Sequence, residues 1–106
     1  MRNIVFTPIG DTSSKDTPGT SSTATALSLP SNPGGGFTAV ITNNTNSTIF
    51  VKAGISTVSA SASTAHPVLT NDVVFIDCGP AVTHIACCTA SGTSTGTIYF
   101  TPAKVL

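Results

Sequence analysis

Residues 73–101 read VVFIDCGPAVTHIACCTASGTSTGTIYFT, and this stretch decides the fold class. It contains three short runs rich in β-branched and aromatic residues, separated by Gly79-Pro80 and by a Ser/Thr/Gly-rich link over residues 90–96. Short runs of this composition between turn-forming residues are typical of the strands of β-sandwiches. The first run, residues 73–77, is apolar on both faces, which predicts a central buried strand.

The same pattern extends toward the N-terminus, with further strand-like segments at residues 3–7, 23–29, 37–42 and 48–53. The Asn-rich residues 43–47 favour turn conformations, so we expect segments 37–42 and 48–53 to form a hairpin. Residues 56–63 fit either an edge strand or a loop, and Thr70-Asn71-Asp72 fits a turn. No stretch of eleven or more residues has the periodicity of a surface helix. The sequence therefore predicts an all-β fold of seven or eight short strands.

The 106 residues are enough for one domain with a modest core. Residues 11–22 are polar, and burial of aliphatic or aromatic side chains cannot offset the entropy of ordering them. We therefore predict an N-terminal arm or flexible segment over residues 1–22, followed by a single β-sandwich domain over residues 23–106.

Low charge is the strongest functional signal in the composition. Charged residues make up 8% of the chain, and it contains no Glu, Gln or Trp, whereas ordinary domains contain about 25% charged residues. A surface of neutral Ser, Thr, Asn and aliphatic side chains suits burial against other subunits. The net charge is zero and Lys and Arg do not cluster, which argues against direct binding to nucleic acid. We predict a structural or interaction protein that forms oligomers.

The longest apolar runs are far shorter than the ~20 residues that span a bilayer. Pro8 and Gly10 follow too soon for a signal peptide, so we expect neither membrane insertion nor secretion by that route. Cys78, Cys87 and Cys88 are odd in number and lack the C-x-x-C spacing of a metal site, which favours buried free thiols in a reducing compartment. A bridge from Cys78 to Cys87 or Cys88 across a hairpin stays open.

The side chains that could carry chemistry do not form a catalytic pattern. His84 lies three and four residues before Cys87 and Cys88, and in a strand residues four apart are about 13 Å from each other. A metal site at His66, His84, Cys78 and Asp72 would need a convergence that the spacing does not predict. Asp72 and Asp77 fit a turn and a strand end, where short polar side chains bond to the backbone. We predict no catalytic residue, no metal and no cofactor.

The second half of the chain carries a resemblance to a known family. The residues concerned are Ala39-Val40-Ile41-Thr42-Asn43, Ile49-Phe50-Val51-Lys52-Ala53-Gly54, Pro67-Val68-Leu69, Thr83-His84-Ile85-Ala86, Ala90-Ser91-Gly92-Thr93 and Thr97-Ile98-Tyr99-Phe100-Thr101-Pro102. Over residues 37–102 the chain resembles the small β-sandwich head decoration (cement) proteins of tailed bacteriophages. This resemblance implies a jelly-roll-like antiparallel sandwich on the capsid exterior, without catalysis or cofactor.

The resemblance also implies partners and a location. The partners would be the major capsid protein and further copies of the chain, as a dimer or trimer, and the protein would be made in the bacterial cytoplasm and end in the virion. In the predicted arm, Ile4, Phe6 and Ile9 are our candidates for apolar anchors that become buried on assembly. Two alternatives stay open: another virion component, such as a head–tail connector or tail accessory, and a carbohydrate-binding β-sandwich. The chain has no Trp, whereas a carbohydrate-binding module would be expected to stack sugars on aromatic platforms.

Overall fold

The computed structural model of the chain describes residues 5–29 and 36–105, which contain nine β-strands. The strands are β1 (Phe6–Pro8), β2 (Ser13–Asp16), β3 (Thr23–Ala26), β4 (Phe37–Thr45), β5 (Ile49–Gly54), β6 (His66–Val68), β7 (Val73–Cys78), β8 (His84–Cys88) and β9 (Gly96–Val105). Within these two ranges, no helix is long and apolar enough to cross a membrane.

The strands form two antiparallel sheets. In the first sheet, β1 and β2 pair with successive parts of the same edge of β9, β4 pairs with the other edge of β9, and β7 pairs with β4. The second sheet has the order β3-β8-β5-β6. When β1 and β2 count as one position, this is the strand order of a jelly roll. The predicted all-β, jelly-roll-like sandwich is confirmed.

Strands β2 and β6 were not predicted, so there are nine strands where seven or eight were expected. A proline in β9 explains why β2 is separate from β1. The Ile9 N–H donates to the Pro102 carbonyl at 2.9 Å, but proline has no N–H to donate in return. Pairing along this edge of β9 stops there and resumes where Ser13 lies opposite Phe100. The first jelly-roll strand is therefore divided into β1 and β2.

The core lies between the two sheets and follows the predicted alternation. Ile41, Ile98 and Phe100 point inward from the first sheet, and Ile49 and Ile85 from the second; each of these five is fully buried. Because successive strand residues point to opposite faces, the neighbours of these residues form the outer faces of the sandwich.

The predicted hairpin between segments 37–42 and 48–53 is wrong. Strand β4 belongs to the first sheet and β5 to the second, so the Asn-rich link crosses from one sheet to the other. Asn43 is fully buried at this crossing, and its amide donates to the carbonyls of Ser47 and Val68 at 2.9 and 2.8 Å. Its Oδ1 accepts from the N–H and the hydroxyl of Thr45. These hydrogen bonds stabilise the chain where it passes from one sheet to the other. A hairpin within one sheet would not need them.

The predicted central position of segment 73–77 is also wrong. This segment forms β7, which pairs with β4 only and lies at the edge of the first sheet. Val74 and Ile76 pack against the core. The alternate side chains point to the outside, and Val73 is 45% exposed. The segment is apolar on both faces although only one of them meets the core.

Residues 11–22, expected to be a mobile loop or arm, contain a paired strand. Strand β2 aligns with β9 from Ser13 opposite Phe100 to Asp16 opposite Thr97. Pro18 is buried, and its carbonyl accepts bonds from the N–H and the hydroxyl of Ser94 at 2.9 and 2.8 Å. This segment is ordered by backbone hydrogen bonds and not by the burial of apolar side chains. The proposed boundary at residue 22 stays a prediction.

Three smaller expectations are settled. Residues 56–63 form a loop, with Ala60 packed on Ala86 and Cys88 of the second sheet. Cys78, Cys87 and Cys88 are free and buried, so the bridge left open above is absent. Asn71 has φ 62°, the left-handed conformation that the predicted turn requires of it.

Candidate interaction surface

The two outer faces of the sandwich differ in how they are covered. Loop residues 55–65 lie over the outer face of the second sheet, where Val58, Ala60 and Ala65 pack around Ala86 and Cys88. The outer face of the first sheet keeps accessible apolar groups, with Val73 45% and Tyr99 37% exposed. We call this surface the open face. By strand alternation its centre comprises Phe6, Thr38, Val40, Thr42, Val73, Phe75, Tyr99, Thr101 and Ala103, and its margins comprise Pro8, Ser14, Asp16, Asn44, Asp77 and Thr97.

Two phenylalanines form the apolar centre of the open face. Phe6 on β1 and Phe75 on β7 come from opposite edges of the sheet, and their ring centroids lie 5.7 Å apart at an interplanar angle of 69°. Edge-to-face packing of this kind contributes about 0.5–1.5 kcal/mol beyond the area it buries. Val40 and Ala103 lie on the strands between the two rings and are buried. The sandwich thus has a small apolar cluster outside its core.

Charge is confined to the margins of the open face. Asp77 lies at one end of β7, and Asp16 lies at the far edge, where it accepts a hydrogen bond from the Thr97 hydroxyl at 2.7 Å. Between them the face presents aromatic, aliphatic and threonine side chains. The cores of protein–protein interfaces are likewise depleted in charge and enriched in aromatic residues. The open face has the composition of a surface that another protein covers.

The predicted anchors fall in different places. Phe6 lies in the aromatic pair on the open face, whereas Ile9 packs against the core between the sheets. Ile4 lies outside the described residues. The role of all three in assembly stays a prediction.

Sequence reasoning missed Val73, Phe75 and Tyr99 as parts of this surface. The signal was present in segment 73–76, because a strand that is apolar on both faces and lies at a sheet edge has one apolar face outside the core. Without the sheet order, an edge strand with an apolar outer face could not be distinguished from a central strand that is buried on both faces.

A cleft of about 430 Å³ opens beside β7, on the other side of the strand from the open face. It lies where the two sheets separate, between β7 and residues 52–54 of β5, which do not pair with β6. Its lining is mainly apolar, with Lys52 and His66 exposed, and consists of Val51, Lys52, Ala53, Thr64, Ala65, His66, Val74, Phe75 and Ile76. The cleft thus leaves β7 accessible from this side.

The groups weighed for chemistry occupy unreactive settings. Burial raises the pKa of the Cys87 thiol to about 11 and also raises the pKa values of Cys78 and Cys88, so all three stay protonated near neutral pH. A protonated thiol is a poor nucleophile and metal ligand. His84 Nδ1 lies 2.8 Å from the Thr83 hydroxyl. Across residues 5–29 and 36–105, no group of three or more His, Cys, Asp or Glu side chains could hold a metal ion.

A scan against protein-family models and searches of curated proteins and of solved structures each find no match. The fold and the open face are therefore the features from which a function can be argued.

Proposed function

We propose that the chain is a structural virion protein that binds the outer surface of a bacteriophage capsid and stabilises contacts between major capsid subunits, as a decoration or cement protein. The observation that carries this proposal is the open face, a sheet surface that is uncharged except at its margins, with an aromatic centre and accessible Val73 and Tyr99. The jelly-roll order supports it, because viral structural proteins use this architecture often. Since one fold can serve many functions, the surface carries more weight than the topology.

The open face suits a partner that is large and fixed in position. A sheet surface is rigid, so binding does not require ordering of a loop, which lowers the entropic cost of association. Threonine hydroxyls on strands β4 and β9 can donate to and accept from backbone groups of capsid subunits on either side of a seam. A single rigid sheet in contact with two subunits would oppose their separation.

The sparse charge leads to a specific expectation about salt. Attraction between exposed charges is screened over about 10 Å at 0.1 M ionic strength, so charge-driven binding weakens as salt is added. Binding through the open face buries apolar and hydroxyl groups instead. We expect capsid binding to persist at 0.5 M salt, where an electrostatically bound protein would dissociate.

The test is co-sedimentation with empty heads assembled from the major capsid protein that is encoded with this chain. We expect hundreds of bound copies per head, and we expect Tyr99→Lys to reduce binding at least tenfold by placing a charge on the open face. Ile55→Lys is the matched control, because Ile55 is 55% exposed in the loop over the second sheet. It should bind like the wild type.

Failure to co-sediment would refute the proposal. Equal binding of the two lysine variants would remove the open face as the contact surface. A few bound copies per head would instead indicate a head–tail connector or a tail accessory.

A further inference from the structure

The four edges of the two sheets are not equally protected against pairing with another chain. Strand β6 has three residues, one of them Pro67; β3 has four; and the β1–β2 edge is interrupted between Pro8 and Ser13. Strand β7 has six residues, VVFIDC, without proline, lysine or a break. Proteins normally shorten, charge or interrupt exposed sheet edges, because a free edge is a template for further strands.

The geometry points to a specific occupant of this edge. We propose that β7 pairs antiparallel with β7 of a second copy, about a two-fold axis centred on Phe75. The two five-stranded sheets would then form one ten-stranded sheet. This proposal concerns the chain alone and does not depend on the proposed capsid role.

The hydrogen bonds to β4 determine which backbone groups of β7 are free. The Asn43 N–H donates to the Asp72 carbonyl at 3.0 Å, one position beyond the pairing of Thr42 with Val73. In an antiparallel ladder, hydrogen-bonded pairs recur at every second residue. Residues 74, 76 and 78 therefore bond to β4, and residues 73, 75 and 77 direct their N–H and C=O groups away from it.

A local contact agrees with this assignment. The N–H of Val73 is bonded to its neighbour Asp72, whose Oδ1 accepts it at 2.9 Å, as expected for a donor that has no partner in β4. Phe75 and Asp77 lie further along the same edge, each with a donor and an acceptor directed outward.

The free groups form a set that is symmetric about Phe75. A two-fold axis at this residue pairs Phe75 with its copy and pairs Val73 with Asp77 of the second copy, so every outward position lies opposite another. At each end the Val73 carbonyl accepts the Asp77 N–H of the second copy, and the Val73 N–H exchanges its bond to Asp72 for the Asp77 carbonyl of that copy. An axis at Val74 leaves position 77 unpaired. An axis at Ile76 leaves position 73 unpaired and brings the two Asp77 carboxylates to diagonal positions about 7–8 Å apart. With the axis at Phe75 they are four residues apart, about 13 Å.

The side chains favour the same arrangement. The two Phe75 residues would be directly opposed, with Cα atoms about 5.5 Å apart, and each ring already packs on Phe6 of its own chain. Pairing would make the two open faces continuous, each with its own aromatic pair. A strand of unrelated sequence could use the free hydrogen bonds but would not place a second phenylalanine opposite Phe75 while keeping the Asp77 carboxylates apart.

The register predicts a charge-swap test on the intact chain. Val73→Asp places a carboxylate opposite Asp77 of the second copy at both ends of the pairing, and we expect the dimer dissociation constant to rise about tenfold or more. Addition of Asp77→Lys to the same chain should restore the dimer, because each new carboxylate then faces a new ammonium group. Within one chain positions 73 and 77 are about 13 Å apart, so restoration requires two chains.

The readout is the molar mass by light scattering over a concentration series, where the dimer has twice the 10.6 kDa mass of the chain. Ile55→Asp is the matched control for an added carboxylate at an exposed residue, and it should remain a dimer. At low concentration, where both variants are monomers, Ile55→Asp and Val73→Asp should unfold at the same temperature. Hydrogen exchange gives an independent measurement: the Phe75 amide should be protected in the dimer and exchange freely on dilution.

Four results would each overturn the proposal. They are a wild-type monomer at all concentrations, a trimer, a dimer that is unaffected by Val73→Asp, and a weakened dimer that Asp77→Lys does not restore. Protection of the Phe75 amide only after heads are added would also overturn it, because the edge would then belong to a capsid segment.

Discussion

Replacement of Asn43 by alanine should destabilise the protein more than any other single change at the link where the chain crosses from β4 in the first sheet to β5 in the second. The side chain is fully buried and makes four hydrogen bonds. After the change, the Thr45 hydroxyl, whose single proton is shared between Asn43 Oδ1 and the Ser47 carbonyl, can donate to the Ser47 carbonyl alone. The Val68 carbonyl and the Thr45 N–H lose the side-chain partner that the Asn43 amide provides.

The expected loss follows from those two groups. The Thr45 N–H is left without a partner, which costs about 1–3 kcal/mol, whereas the Val68 carbonyl keeps the bond from the N–H of Ile49, its antiparallel partner, and loses one net bond of about 1 kcal/mol. The free energy of unfolding should therefore fall by about 3 kcal/mol. Domains of this size have total stabilities of about 5–15 kcal/mol, so the loss is a large share. With a urea dependence of about 2 kcal/mol per M, the midpoint of unfolding should fall by about 1.5 M.

The assay is equilibrium unfolding in urea, followed by circular dichroism, with Asn44→Ala as the control. Asn44 is the exposed neighbour on the same strand, and its replacement should change stability by no more than about 0.5 kcal/mol. Asn43→Asp keeps the shape of the side chain but replaces the amide donor with an oxygen, so it separates hydrogen bonding from lost volume. A loss below about 1 kcal/mol for Asn43→Ala, or one equal to that of Asn44→Ala, would refute the reasoning.

Three further changes test other parts of the structure. Gly96→Ala should lower the free energy of unfolding by more than about 1 kcal/mol in thermal unfolding, because Gly96 has φ 98° and an added Cβ would overlap a backbone carbonyl of β4; an unchanged Tm would contradict this. Ser94→Ala removes the hydroxyl bond to the Pro18 carbonyl, so trypsin should cut after Lys15 several-fold faster, and equal rates would show that this bond does not fix the segment. The Cys87 pKa rises from 9.0 to about 11 on folding, so its contribution to stability is complete below pH 9 and is lost as the pH approaches 11. Wild-type stability should therefore fall relative to Cys87→Ala across that range in urea titrations, and parallel curves would contradict the assignment.

The strands and their inward faces could be predicted from the sequence because alternation is a local property. In segments 37–42, 48–53 and 97–101 the apolar residues at alternate positions lie toward the core, among them Ile98 and Phe100 on the side opposite Tyr99. The same patterns do not specify which sheet a strand joins. The pairing of β4 with β9 joins segments about 60 residues apart, and no local signal in either strand indicates it.

The candidate surface could be predicted only in part for a related reason. Low charge correctly indicated a neutral exterior, but the position of the open face depends on the sheet order. Segment 73–76 is apolar because one of its faces packs on the core and the other carries Phe75 of the aromatic pair. The sequence alone does not distinguish these two environments. Residues 13–16 were missed as a strand because their order comes from backbone pairing with β9, to which side-chain hydrophobicity contributes little.

The position of β9 has a consequence for how the chain folds during synthesis. This strand is the centre of its sheet, since β1, β2 and β4 all pair with it, and it is made after all of them. Until residues 96–105 leave the ribosome, the first sheet lacks the strand that joins its two halves, and β4 and β7 have both outer edges free. Sheets built from such distant segments form slowly and expose hydrophobic edges before they close. Chaperones that bind extended apolar segments would thus meet β4 and β7 in the nascent chain before β9 closes the sheet.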